Sequence, residues 1–291
     1  MDQAYNKCHI CLLQIMMDKQ TLSYKEMCGL IKKICESKGK EFNESKVKAF
    51  VKTICQQVEP FNLVLKKCQK EENGETMYVL ISKYMSDINK LVIGSNFQKN
   101  EIEYFERVID LIVNSNNPES LGKVSSVEAL NMANDCVHNI SKQQAQLLLN
   151  RLQREKYLNI KRGMISLTLR TLLEVEQYLV SQYNKDTEYE MIKYCMCRKL
   201  VMIGIQCTQC EMRMHIYCCV KYLKSVENQG RKASCVKCKK QWDEEMRRKV
   251  MKHYNTCNLE ATQAVEISNG NNSQNGSQSM SHRSNRKRPL S

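Results

Sequence analysis

Seven cysteines and one histidine within residues 195–238 form four short pairs: Cys195 with Cys197, Cys207 with Cys210, His215 with Cys218, and Cys235 with Cys238. Thiolate and imidazole are the donors that tetrahedral zinc takes in fours. A pair split by one or two residues lets a single turn of backbone supply two corners of the tetrahedron. Eight donors suffice for two zinc ions. A lone Cys-x-x-Cys would carry little weight, whereas four pairs in one short segment carry a great deal. How the pairs combine is left open. In the interleaved arrangement Cys195, Cys197, His215 and Cys218 hold one ion, and Cys207, Cys210, Cys235 and Cys238 the other. Such cross-linking suits a segment too short to build its own apolar core. Disulfides or a thiol redox pair are the competing reading. They leave the other pairs unexplained and sit badly with a chain in which no export signal is read. With all eight donors used, no coordination position stays open. Hydrolysis by a metal-bound water is therefore not expected, and no cysteine is assigned as catalytic.

The run Cys-x-x-Cys-x-x-Arg-Met-His-x-x-Cys at 207–218, followed by Cys235, Cys238 and Trp242, resembles the RING-like zinc domain of the non-structural maintenance of chromosomes element 1 family. The resemblance extends upstream through Glu174, Val175, Glu176, Gln177 and Tyr178 and covers most of residues 5–245. One departure is local: the family's first pair is normally Cys-x-x-Cys, and here it is Cys195-Met196-Cys197. The family supplies the ubiquitin-ligase subunit of the structural maintenance of chromosomes 5/6 complex. The resemblance therefore implies a nuclear, chromatin-associated protein acting in DNA repair by homologous recombination. Its partners would be a MAGE-like sister subunit, a kleisin subunit and a ubiquitin-conjugating enzyme. In such a module the thioester chemistry stays on the conjugating enzyme, and the ligase supplies proximity and orientation. The implied contact comprises Met196, Leu200, Val201 and Ile203, with Val236 on the loop near Cys235. Packing between the zinc loops is the plainer reading of the same apolar residues, and Trp242 is read as packing against the module. Two other functions stay in view. A PHD-type histone reader has the same ligand order but usually an aromatic two residues before the seventh ligand, where Ala233 stands. A non-catalytic scaffold subunit would use the zinc module only for docking.

The elements that must position this module are mainly helical. The 291 residues are 42% apolar, with no run of eighteen apolar residues, so a transmembrane helix is excluded. Sixteen cysteines without an export signal imply a reducing compartment. Apolar residues recur at helical spacing over 5–17, 23–37 and 44–58, with Ser23 and Glu26 forming a capping box. Two β-patterned runs, 61–67 and 77–82, follow and meet through Asn73-Gly74. The order then repeats: helices at 101–114, from Ser125 or Ser126 to Val137, and from Ser141 onward, then strands 157–160 and 164–167 across Arg162-Gly163. A helix at 169–183 leads into the zinc stretch. Three helices closed by a hairpin, twice, reads as tandem winged helices. The expected organisation is winged helix A at 1–88, winged helix B at 98–188, a RING-like two-zinc domain at 191–245 and a disordered basic tail at 257–291. The joint between the first two is placed near 86–100. Cys8-His-Ile-Cys11 imitates half a metal site but is read as thiols on one helix face.

Charge is uneven. Residues 1–190 hold 26 Lys and Arg against 24 Asp and Glu, and residues 191–291 hold 19 against 7. A basic end suits a nucleic acid or an acidic protein, or simply a solvated tail. On the third helix of each repeat, Lys46, Lys48 and Lys52, then Lys142, Arg151, Arg154 and Lys156, with Lys161 and Arg162 on the wing, are candidates for an auxiliary DNA contact. A solvated face is the plainer reading, and docking to a protein the preferred use. Arg286, Lys287 and Arg288 resemble a nuclear import signal.

Overall fold

The computed structural model describes residues 5–83, 97–115, 121–185 and 191–274. Helices α1 (Lys7–Lys19), α2 (Tyr24–Glu36) and α3 (Val47–Val58) follow the apolar stripes of the sequence. The capping box at Ser23 is formed: Glu26 N–H donates to the Ser23 hydroxyl, and Ser23 N–H to the Glu26 carboxylate at 2.8 Å. Cys8 and Cys11 lie on α1, Cys8 buried in the core, so they form no half-site. Strands β1 (Thr21–Ser23), β2 (Leu63–Gln69) and β3 (Thr76–Ser82) make an antiparallel sheet in the order β1-β3-β2. The third strand, β1, is absent from the sequence reading because three residues show no resolvable period. Strand β2 also starts later than residue 61. Pro60 and Phe61 lie in a 3-10 turn, Glu59–Phe61, and Asn62 turns the chain with φ 57°.

The order recurs with α4 (Lys99–Val113), β4 (Val124–Ser125), α5 (Ser126–Asn131), α6 (Lys142–Arg154), β5 (Leu158–Lys161), β6 (Met164–Leu167) and α7 (Leu169–Tyr183). Its sheet runs β4-β6-β5. Helix α5 stops short of the expected Val137. A 3-10 turn, Met132–Asp135, takes over, and Cys136 is already extended. Asn134 and Asp135 favour turns because their short polar side chains compete for backbone partners.

Four short strands follow, β7 (Lys193–Tyr194), β8 (Leu200–Val201), β9 (Ile205–Gln206) and β10 (Arg213–Met214), then α8 (Ile216–Asn228) and α9 (Glu244–Gln274). The last helix corrects the expected tail boundary at 257. Residues 259–267 are rich in Leu, Glu, Ala and Gln and extend a helix already nucleated. Residues 84–96, which hold most of the expected joint, and 275–291, with Arg286, Lys287 and Arg288, lie outside the described part. Among the described residues no helix is long and apolar enough to cross a membrane.

The two repeats are welded together through β3. Side chains alternate across a strand, and this central strand is buried on both faces. Tyr78 and Leu80 enter the core of α1, α2 and α3. Val79 and Ile81, with Cys68, face the other way and meet Leu169 and Leu173 of α7. Beside them Glu174, 5% exposed, accepts from Ser82 N–H at 3.2 Å and pairs with Arg170. The second repeat's core also takes in Ile192, Leu200 and Met202 from the cysteine-rich region. Truncating Glu174 would strand both Ser82 N–H and Arg170. Glu174→Ala should therefore lower the unfolding free energy by about 3 kcal/mol, and Glu174→Gln by less, as measured by urea denaturation of the full chain.

Candidate metal centre

Each cysteine pair is shaped by its own tight loop. Cys195 N–H donates to Lys199 C=O, Cys207 N–H to Met212 C=O and Cys235 N–H to Lys240 C=O, at 2.8–2.9 Å. Immediately after each second cysteine a non-glycine residue takes the left-handed conformation: Arg198 at φ 61°, Glu211 at 55° and Lys239 at 62°. L-residues resist this conformation by about 1–2 kcal/mol each, so its repetition marks three copies of one chelating loop. The first loop closes on the fourth residue after its cysteine and the others on the fifth. The missing residue of Cys195-Met196-Cys197 is thus absorbed by a shorter loop with the same turn. The fourth pair comes from a helix start, with His215 as the N-cap of α8 and Cys218 in its first turn.

These four pairs interleave. The donor atoms of Cys195, Cys197, His215 and Cys218 all lie within 4.8 Å of one another, as do those of Cys207, Cys210, Cys235 and Cys238. His215 Nδ1 is 3.4 Å from Cys197 Sγ and 3.8 Å from Cys218 Sγ. In the other cluster Cys207 Sγ and Cys238 Sγ are 3.8 Å apart, and Cys210 Sγ and Cys235 Sγ 3.5 Å. A metal–sulfur bond of about 2.3 Å gives a tetrahedron with edges of roughly 3.8 Å, so both sets fit a four-coordinate ion. Each cluster could hold one. In the first cluster, the bond to Cys218 holds the Cys195 thiol down to about 3 against the opposing effect of burial. Burial, the largest influence on His215, lowers its pKa, yet bonds to Cys195 and Glu71 push the imidazole up to about 10. An ion entering here displaces protons.

The outer side of His215 shows a residue that sequence reasoning missed. Nδ1 faces the sulfurs, while Nε2 lies 2.9 Å from Leu200 C=O and 3.5 Å from Glu71 Oε1. Glu71 stands in the turn between β2 and β3, far away in sequence, and is 8% exposed. Its carboxylate accepts from Met202 N–H at 2.8 Å and Ile203 N–H at 3.3 Å. Burial raises its pKa and the His215 bond opposes that rise. Gly74, three residues on, lets the same turn approach: a Cβ there would sit 2.8 Å from the Tyr217 ring, which stacks on His215. In the sequence Glu71 and Glu72 are two acids beside a turn, indistinguishable from a solvated loop.

The expected partner contact is corrected in part. Met196 is 52% exposed at the tip of the first loop, and Tyr194 beside it is also exposed. Val236 is half-buried. Leu200, Val201 and Ile203 are buried and cannot meet a partner without unpacking. Leu200 fills the second repeat's core, and Val201 and Ile203 fill the core around the clusters. Trp242 packs edge-on against Tyr222, and its backbone N–H donates to Ala233 C=O at 2.9 Å. The basic helix of the second repeat is also more engaged than expected. Arg151 pairs with Glu101 and Glu155 and stacks over Phe97, Lys142 donates to Asn131, and Lys156 donates to the Asp18 and Lys19 carbonyls.

Removing the outer partner of a ligating histidine typically weakens a metal site by about 10–100-fold. Glu71→Ala should weaken the first cluster by that order and leave the second unchanged. Chelator competition on the full chain, resolved into two release phases, measures this.

Similarity to known proteins can now be set beside this geometry. Residues 9–175 match the family model described as "Nse1 non-SMC component of SMC5-6 complex". The "Non-structural maintenance of chromosomes element 1 homolog" of Xenopus laevis is 27% identical over 248 residues, 84% of this chain and 86% of the relative. The Homo sapiens protein of the same name is 26% identical over 240 residues, 82% of this chain and 85% of the relative. A solved "Nse1-Nse3-Nse4 complex" contains a chain that superposes with a TM-score of 0.71 at 26% identity, covering 84% of this chain and 99% of that one. The family match spans more than half of the sequence, and the chain belongs to the Nse1 family.

Proposed function

We propose that this chain is the RING-type ubiquitin-ligase subunit of a structural maintenance of chromosomes 5/6 complex, and that both clusters hold zinc. The observation that carries the reading is the pair of closed, interleaved four-donor clusters with Met196 exposed on the first loop. Thiolate-rich sets at tetrahedral spacing suit zinc, which such sites bind with roughly 10–16 kcal/mol at neutral pH. Zinc here would act by holding the loops rigid. A charged ubiquitin-conjugating enzyme would dock on Met196, Tyr194 and Val236 and keep the thioester chemistry on itself.

The two helix–hairpin repeats are read as tandem winged helices that dock a MAGE-like subunit, and a kleisin subunit alongside it. Membership of the Nse1 family and the likeness to a chain of the Nse1-Nse3-Nse4 complex support this assembly. Phe61, Val127, Val137 and Leu147 are large apolar side chains left more than 60% exposed on these repeats, as a docking surface requires. Any DNA contact by these repeats would be auxiliary, because most of the basic side chains on α6 are already bonded within the chain. Action in the nucleus during repair by homologous recombination follows from the family's place in a chromosomal complex, with Arg286, Lys287 and Arg288 as the import signal. A scaffold without ligase activity is the second reading, favoured by the burial of Leu200, Val201 and Ile203, which shrinks the contact surface. A histone-reading surface is disfavoured because Ala233, at the position of the usual aromatic, is itself buried beside Trp242.

Elemental analysis should return two zincs per chain, and Cys207→Ser should lose one while Cys195, Cys197, His215 and Cys218 keep theirs. In ubiquitin-chain assays with purified conjugating enzymes, with and without the MAGE-like subunit, Met196→Ala should cut the rate about tenfold, a loss of roughly 1.4 kcal/mol of contact energy. Zinc content should stay unchanged in that variant. No chain formation in any mixture would leave the scaffold reading.

A further inference from the structure

In the second repeat, Arg170 pairs with Glu174, and Arg151 with Glu101 and Glu155. One cleft breaks this pattern. Where the β2–β3 turn meets the second repeat's sheet, a cavity of about 190 Å³ is lined by Lys70, Lys123, Lys161 and Arg162, with Glu72 the only carboxylate. Among the described residues Lys70, Lys123 and Lys161 make no ion pair, and neither does Glu72. The cavity adjoins a wider one of about 400 Å³ that shares Lys70, Glu72, Asn159 and Lys161.

The cations come from three separate stretches of chain and are held in place. Lys161 and Arg162 sit at the β5–β6 turn, where Arg162 has φ 51° and Gly163 φ 75°. That turn is tied down by Ser126 N–H donating to Gly163 C=O at 2.8 Å. Lys123 immediately precedes β4, and Lys70 directly follows β2 next to the anchored Glu71. Neutral donors share the wall, the Asn159 amide and Ser166, which is only 4% exposed. Three lysines without ion pairs against one carboxylate in a concave space repel one another and focus a positive potential on whatever enters.

We propose that this junction binds a small ligand bearing two or more phosphoryl groups. A dense oxyanion neutralises the lysines and accepts from the neutral donors together. A cavity of this size accepts such a molecule but not a double helix. The site is independent of the zinc clusters and of ligase activity.

The test uses the zinc-loaded full chain, inorganic pyrophosphate as probe, titration calorimetry, and zinc content measured before and after. Saturable one-to-one binding should weaken at least tenfold in the double variant Lys70→Gln/Lys161→Gln and persist in Lys70→Arg/Lys161→Arg. Circular dichroism checks the fold of each variant, and Lys123→Gln carries the comparison should the double variant misfold. Equal binding by wild type and the glutamine variants, no saturable binding, or heat that tracks zinc release would each overturn the proposal. So would a single-stranded oligonucleotide that binds through Lys70 and Lys161 and is not displaced by pyrophosphate, which would assign the cleft to a nucleic-acid strand.

Discussion

A single buried carboxylate joins the two ends of this molecule. Glu71 belongs to the amino-terminal hairpin, yet its oxygens are bound by backbone N–H groups of Met202 and Ile203 and face the outer nitrogen of His215. A carboxylate removed from water is tolerated only when its lone pairs are met. The hairpin therefore cannot leave the cysteine-rich region without exposing an unpaired acid and two unpaired amides. Burial of β3 on both faces ties the same hairpin to α7 of the second repeat from the apolar side.

This junction changes how the metal region is understood. The cysteine-rich segment is not a module on a tether. Leu200 and Met202 belong to the second repeat's core, Tyr217 meets Gly74 of the first repeat, and His215 is oriented from outside its own segment. The surrounding cores hold the cysteine loops and their three left-handed residues, Arg198, Glu211 and Lys239, in place for an ion that each cluster could take. What stays exposed is a small surface around Met196, set at a fixed angle to both repeats. A device that works by orienting a partner gains from such rigidity, since misplacement of the reacting groups is what orientation must prevent.

The charges are arranged with the same economy. Cations on α6 are mostly tied to neighbours within the chain. The lysines around the inter-repeat cleft are left without carboxylate partners. Net charge alone did not reveal the cleft, because Lys70 and Lys123 stand singly in the sequence, Lys70 beside two acids.

Short-range period, capping chemistry and ligand spacing made the main helices of the two repeats, several of their caps, the two hairpins and the eight candidate donor residues legible in the sequence, but not α8 or α9. The Ser23 and Glu26 box and the Arg162-Gly163 turn formed where local chemistry placed them. It left the pairing of the four ligand pairs open, and it showed neither β1 and β4 nor the helix beyond residue 257. It also left Leu200 and Ile203 open between a partner contact and core packing, because an apolar side chain looks the same in a sequence whether it faces a partner or a core. Glu71 was invisible for a related reason: an acid beside a turn is a solvated loop until another part of the chain supplies amides and an imidazole to meet it. Spacing along the chain decides which atoms can chelate, whereas only the tertiary fold decides which groups lose their water and must find partners.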